Sequence, residues 1–202
     1  MDRDETSPIL KYKLGYPFAI FGVEADVIDT WVDTLDLDSL ATDEFTYSLC
    51  RTSNGTEENY KVDYKPLLEI VGNYFGKYVE VMRPMCEIDV EMELPWVNIY
   101  GHNGFQDCHD HQGSACNDFS WCYVHESGKS SLIFKNRNAT NSDMSLISIL
   151  EEYTDQFEYV PTEKDKGTLY IFPSSVLHAV TPNKSKLFDR ITFSGNIKIN
   201  KV

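Results

Sequence analysis

The sequence predicts a mainly β protein, a sandwich or barrel that carries helices on its outside. Three observations lead there. The second half of the 202 residues breaks into many short runs of strand character separated by turn signals such as Ser127-Gly128 and Pro182-Asn183. Aromatic residues make up 13% of the chain, with eleven Phe and twelve Tyr, which suits a β-rich core. The first half holds two stretches whose apolar residues recur at helical spacing. At this length one domain over residues 1–202 is expected, with 1–85 as helical and strand support and 86–202 as the β core.

Taken in order, Leu14 to Val23 is apolar and aromatic enough for a strand, and Pro17 pushes it toward a sheet edge. Val27, Ile28, Trp31, Val32 and Leu35 predict a helix over Val27–Leu35 with Asp26 as its cap. Leu37 to Asn59 is polar and predicts loop, with a short strand near Phe45–Leu49. Lys65–Met82 is the better marked helix. Asp63 can cap it, Pro66 fits its first turn, and Leu67, Val71, Tyr74, Tyr78, Val79 and Met82 form one stripe. Glu87 to Leu94 alternates strictly, with Ile88, Val90, Met92 and Leu94 opposite four carboxylates, which predicts a strand with one solvated face. Pro95 breaks it before a second strand, Trp96–Tyr100. Further strands are expected at Phe119–Val124, Ser131–Phe134, Phe157–Val160, Thr168–Phe172, Val176–Val180 and Ile191–Ile199. An insertion, Asn136 to Tyr153, is polar and then helical at Leu146–Glu152, and is expected to lie over the barrel mouth.

Composition narrows the function classes. With 42% hydrophobic and 25% charged residues the chain is globular. A net charge of −14 without any basic run argues against nucleic acid as a partner. The acidic N-terminus lacks the pattern of a signal peptide and no stretch has the length of a membrane span, so a soluble, cytoplasmic protein is expected. Five Cys without CxxC spacing predict reduced thiols rather than a disulfide framework.

The chemistry gathers in two stretches. After Trp96–Tyr100 come Gly-His-Asn-Gly and then Cys108-His109-Asp110-His111. Alternate residues of an extended chain share a face, so His109 and His111 can turn toward one metal. Phe172-Pro173 leads to a lone His178, and Arg190-Ile191-Thr192-Phe193-Ser194 begins twelve residues later. Imidazoles suit first-row metals. In the last strand the apolar Ile191, Phe193, Ile197 and Ile199 share one face, which puts Arg190, Thr192, Ser194 and Asn196 on the other. A buried guanidinium there needs an anion, and a carboxylate is its best match.

These motifs together resemble the iron(II)- and 2-oxoglutarate-dependent dioxygenases, most closely a prolyl-hydroxylase-like branch that includes phage-type oxygenases. The similarity runs through Trp96-Val-Asn-Ile-Tyr-Gly-His-Asn-Gly104, His109-Asp-His111-Gln-Gly-Ser114, Trp121-Cys-Tyr-Val124, Ser127-Gly128 with Leu132-Ile-Phe134, Gly167-Thr-Leu-Tyr-Ile-Phe-Pro173, His178 and Arg190-Ile-Thr-Phe-Ser194. It covers roughly the C-terminal half. The resemblance implies a double-stranded β-helix, a cupin-like jelly-roll barrel, and an Fe(II) centre with 2-oxoglutarate as cosubstrate. Carried over, His109, His111 and His178 are the metal ligands, Arg190 and Thr192 hold the cosubstrate carboxylate, and Tyr100 and Tyr123 hydrogen-bond it. The family holds its metal with a His-x-Asp/Glu pair and a distal His. Here His111 stands at the carboxylate position, which removes one negative charge unless a neighbour such as Asp107 compensates. The implied reaction hydroxylates a substrate while 2-oxoglutarate becomes succinate and carbon dioxide. The substrate class expected is a small molecule or peptide, neutral or cationic, with His102, Trp121 and His125 as possible pocket residues.

Four rival readings stand beside this one. A three-His iron site on a β barrel also resembles cupin thiol dioxygenases, which use no 2-oxoglutarate. A zinc site would use Cys108 or Cys116 with His109 and His111. A register with His111 as first ligand and Gly113 second resembles the open site of iron halogenases. The non-enzymatic alternative is a jelly-roll binding or structural module that has lost its carboxylate ligand and its activity.

Overall fold

The structure is a computed structural model that describes residues 10–14, 18–44, 48–82, 87–111, 117–135, 158–159 and 165–201. It opens with an antiparallel pair, β1 (Leu10–Leu14) and β2 (Phe18–Glu24), where a single strand over Leu14–Val23 is expected; Pro17 lies outside the described residues. The helix expected over Val27–Leu35 is shorter. A 3-10 turn, Asp26–Ile28, runs into α1 (Asp29–Val32), and Asp26 is not the cap: Ala25 occupies that position and no side chain bonds the helix start. Thr34 explains the early stop, since its hydroxyl donates back to the Trp31 carbonyl at 2.7 Å while the Thr34 and Leu35 amides close tight i to i+3 bonds. The polar stretch that follows contains α2 (Leu37–Leu40), β3 (Asp43–Glu44), β4 (Ser48–Leu49) and β5 (Arg51–Thr52).

The helix α3 spans Lys65–Met82 as its periodicity predicts. Asp63 accepts from the Lys65 amide at 3.1 Å, and Leu67, Val71, Phe75 and Tyr78 are buried along one stripe. No helix of the described residues is long and apolar enough to cross a membrane.

The remaining strands are β6 (Ile88–Met92), β7 (Trp96–Tyr100), β8 (Phe105–His109), β9 (Phe119–Ser127), β10 (Leu132–Lys135), β11 (Glu158–Tyr159), β12 (Thr168–Pro173), β13 (Leu177–Val180) and β14 (Arg190–Lys201). The expected insertion over Asn136–Tyr153 lies outside the described residues. Two antiparallel sheets result. The larger runs β1-β2-β12-β9-β14-β7-β5-β3 with β6 also on β14, and the smaller runs β11-β10-β13-β8-β4. From β7 to β10 and again from β12 to β14, each successive strand crosses to the opposite sheet. That winding is a double-stranded β-helix flanked by helices, the fold that the family resemblance implies. The residues before 86 are part of it, because β2 pairs with β12 and β5 with β7.

Alternation along the central strands feeds two cores. On β12, Leu169 and Ile171 face α3 and its neighbours, while Tyr170 and Phe172 face the smaller sheet. All six residues of β12 are buried, as a strand covered on both faces must be. The helix-side core holds Phe75, Tyr78, Phe119, Trp121 and Phe193; the inter-sheet core holds Tyr100, Cys122, Val124, Leu132, Phe134 and Val180. The expected apolar face of β6 is only partly covered, and Val90 and Leu94 stay exposed.

Candidate metal centre

His109 ends β8, His178 sits on β13, and the two are directly opposed across the antiparallel pair, with a register irregularity just beyond. His111 lies two residues past the strand end, where its amide donates to the Ser174 carbonyl at 2.9 Å. The three imidazoles therefore meet between the sheets. Each offers a ring nitrogen, and these atoms all lie within 4.8 Å of one another. Among the described residues no carboxylate belongs to this group: Asp107 and Asp110 are outside it.

The hydrogen bonds set the tautomers. His109 Nδ1 is 2.8 Å from the Asp107 carbonyl, His178 Nδ1 is 3.0 Å from the Val176 carbonyl, and His111 Nδ1 is 2.6 Å from Asn196 Oδ1. Those oxygens can only accept, so each Nδ1 carries the proton and each Nε2 presents a lone pair. The Nε2 atoms of His109 and His111 are 3.3 Å apart. Two lone pairs that close repel unless a cation lies between them. At a metal to nitrogen distance of about 2.1 Å, adjacent ligands of one ion stand about 3 Å apart, close to that spacing. Burial depresses the basicity of all three rings; His178, buried throughout and facing the other two, is driven well below an ordinary imidazole. They are neutral near pH 7, the form that binds metal. The donor set fits a first-row divalent ion.

Around the imidazoles the pocket is lined by Trp96, Asn98, Tyr100, Gln106, Thr192 and Ser194, with Phe172 edge-on to His178 at 4.9 Å. Tyr100 donates to Gln106 Oε1 at 2.8 Å, and burial pushes its phenol well up, so it remains a donor. Thr192 and Tyr100 stand on the pocket wall.

Arg190 is placed differently from the expectation. It is fully buried, and its anionic partner is this chain's own Asp165: Nη2 donates to Oδ2 at 2.9 Å and Nη1 to Oδ1 at 3.4 Å, with the Ser130 carbonyl at 3.1 Å from Nη1. Burial works against its charge, and Asp165 outweighs that. Among the described residues its Nε–H is buried without a hydrogen-bond partner. Thr192 lines the pocket around the imidazoles, whereas Arg190 lies behind that wall, against Asp165 and Ser130.

Tyr123 requires a correction. Its side chain lies on the helix side of the large sheet and donates to Asp29 Oδ1 at 2.6 Å, so it cannot bond a cosubstrate in this pocket. Parity is the reason, because Tyr123 alternates with Cys122 and Val124, which face the inter-sheet core. His125 shares that outer face and binds the same Asp29 oxygen at 2.7 Å. Trp121 does border the imidazole pocket, with its indole packed over Gly195. His102 is engaged with the Ser185 carbonyl and lines a separate cavity with Glu44, Arg51 and Asp189. Cys108 is exposed and outside the ligand group, while Cys116 and Gly113 lie outside the described residues.

Sequence reasoning missed Asp165, Glu93, Ser120 and Gln106. Asn196, on the polar face of the last strand, bridges His111 and Glu93. Glu93, expected on a solvated face, is half-buried.

Residues 95–196, just over half of the chain, match the family described as "Putative 2OG-Fe(II) oxygenase". No functionally curated protein matches the sequence. Among solved structures the fold is similar to a Pseudomonas putida prolyl-4-hydroxylase, at 13% identity and a TM-score of 0.55, covering 85% of this chain and 84% of that one. It is also similar to a viral collagen prolyl hydroxylase from Paramecium bursaria Chlorella virus-1, solved with 2-oxoglutarate, at 13% identity and a TM-score of 0.51, covering 88% and 94%. A third is HygX from Streptomyces hygroscopicus with nickel and 2-oxoglutarate bound, at 8% identity and a TM-score of 0.51, covering 89% and 82%.

Proposed function

The chain belongs to the 2OG-Fe(II) oxygenase family and is an oxygenase dependent on iron(II) and 2-oxoglutarate; on that premise we propose that His109, His111 and His178 hold the iron while Thr192, Tyr100 and Arg190 receive the cosubstrate. One observation carries the assignment of the metal: three imidazoles whose Nδ1 atoms all face acceptors turn their Nε2 lone pairs toward one point.

Bound there, iron and 2-oxoglutarate supply oxygen activation that oxidises a C–H bond of the substrate, with succinate and carbon dioxide as coproducts. The chain's own residues do the rest. The two backbone carbonyls and Asn196 fix ring orientation and tautomer, so the metal site is organised before metal arrives. Thr192 and Tyr100 offer hydroxyl donors to an anionic cosubstrate, and Arg190 adds a charge that Asp165 keeps buried and oriented. Phe172, Leu132 and Val180 wall the pocket and limit water.

For the substrate we infer a small molecule or peptide, neutral or cationic, because the chain carries a net charge of −14. Succinate release from 2-oxoglutarate by the iron-loaded protein tests the activity, and the site assignment is tested separately. His111→Ala and His178→Ala should each abolish stoichiometric metal binding. Arg190→Lys should weaken 2-oxoglutarate binding, since a point ammonium cannot serve Asp165, Ser130 and a ligand together. Full metal occupancy in the His variants would refute the three-His site.

A further inference from the structure

Three neutral imidazoles bring no charge to a divalent ion, and the described residues contribute no carboxylate to the ligand group. The surroundings of His111 differ from those of its two partners. His109 and His178 donate to backbone carbonyls two residues upstream, Asp107 and Val176, both neutral acceptors. His111 instead donates to a side chain 85 residues away, Asn196 Oδ1, at 2.6 Å. The other end of that amide, Asn196 Nδ2, donates to Glu93 Oε2 at 2.9 Å, and Asn117 Nδ2 donates to the same oxygen at 3.3 Å. The bridge is well held. Asn196 is 8% exposed, and Ser120, fully buried, donates to its Oδ1 at 3.0 Å and also meets Ser174 at 3.0 Å.

We propose that Glu93 is a positioning residue of the metal centre, acting through Asn196 on His111 and supplying from outside the ligand sphere the negative charge that the three-histidine set lacks. An amide is suited to this because it accepts at one end and donates at the other. A carboxylate on the Nδ2 hydrogens increases the negative charge on Oδ1, which draws the His111 Nδ1 proton and leaves more electron density on Nε2. The chain thus pairs a neutral ligand with a remote anion where the family pattern uses a carboxylate ligand. The inference rests on His111 being a ligand, as proposed above.

The test uses the metal-free full chain titrated anaerobically with Fe(II), and with Co(II) so that the visible ligand-field bands report on the site. E93Q keeps the shape and removes the charge. Metal affinity should fall about 10- to 100-fold, the usual size of such outer effects, with a shift in the Co(II) bands and little change in the Tm of the metal-free protein. E93Q/N196D moves the anion into direct contact with His111, the introduced amide now donating to it, and affinity should return to the parent level or exceed it. Parent-like affinity in E93Q overturns the proposal. So does an E93Q protein whose metal-free Tm collapses with its affinity and which the second change does not rescue, because that marks a structural anchor. The parallel variant His111→Ala separates the two layers: if it keeps metal, the three-His reading itself fails, whereas loss there with parent-like E93Q fails this inference alone.

Discussion

Replacing Asp165 by Asn is the most informative single change outside the metal ligands. The side chain keeps its size, but the fully buried Arg190 loses the carboxylate that balances it, and both partners are almost inaccessible, at 0% and 1%. Removing one member of a buried ion pair costs about 3–5 kcal/mol, because the remaining charge is left in a medium that cannot solvate it. In a chain of this size each kcal/mol moves Tm by about 2–4 °C, so the variant should melt about 6–20 °C lower. An anionic cosubstrate reverses part of this. If 2-oxoglutarate reaches Arg190 it returns a carboxylate to an orphaned guanidinium, and its stabilisation of the Zn(II)-loaded variant should exceed that of the parent. Thermal denaturation followed by circular dichroism, at low ionic strength and with and without saturating 2-oxoglutarate, measures both quantities. A Tm within 2 °C of the parent would show that the pair contributes nothing, and equal shifts with 2-oxoglutarate would refute the contact between cosubstrate and Arg190.

Further expectations follow from the same geometry. The metal-free protein should lose stability on the acid side: all three imidazoles have folded-state pKa values below the ordinary 6.5, so the unfolded chain takes up protons first as pH falls below that value. Stability is complete above about pH 6.5 and declines beneath it, and a Tm that is flat from pH 8 to 5 would contradict this. Tyr123→Phe should leave 2-oxoglutarate affinity unchanged and cost about 1 kcal/mol through the lost bond to Asp29, measured by calorimetry and denaturant unfolding. Gly195→Ala should destabilise by about 1–3 kcal/mol, because an added Cβ would lie 2.7 Å from the Trp121 indole; a neutral urea midpoint would show that the indole can move.

The elements legible in the sequence are those with an unbroken period. The stripe on α3 and the alternation of β14 each have a repeat that only one kind of backbone can bury, and the short apolar run of β12 reads as a strand from its length and its β-branched and aromatic residues. The three His were legible for a related reason: spacing by two puts His109 and His111 on one side, and the family resemblance supplies His178. Tyr123 was misread because β9 is apolar on both faces. Trp121 and Tyr123 look no more inward than Cys122 and Val124, and parity is settled only by neighbours distant in sequence. Asp165 and Glu93 are illegible because Asp165 sits in a polar stretch and Glu93 on the acidic face of an alternating strand, both of which read as solvated, and their partners are 25 and 103 residues away. Nothing local distinguishes a carboxylate that will be buried from one that will not.

The strand β14 works as a ruler. Arg190 meets Asp165 at its start, Thr192 follows on the pocket wall, and Asn196 meets His111 six residues on, while the same twelve-residue strand is clamped by β9 along most of its length and by β7 and β6 in succession on the other edge. At about 3.3 Å per residue, its anion-binding end and its metal-tuning end are set about 20 Å apart along the backbone. A one-residue slip would send all three side chains to the helix side together, and a two-residue slip would move each to a position meant for another. Deletions and insertions in β14 should therefore abolish metal tuning and cosubstrate binding in one step, whereas variation in its partner strands can be absorbed a residue at a time. The bulge opposite Ile191 and Thr192 falls in β9, so the strand that keeps the measure stays regular and its neighbour carries the irregularity.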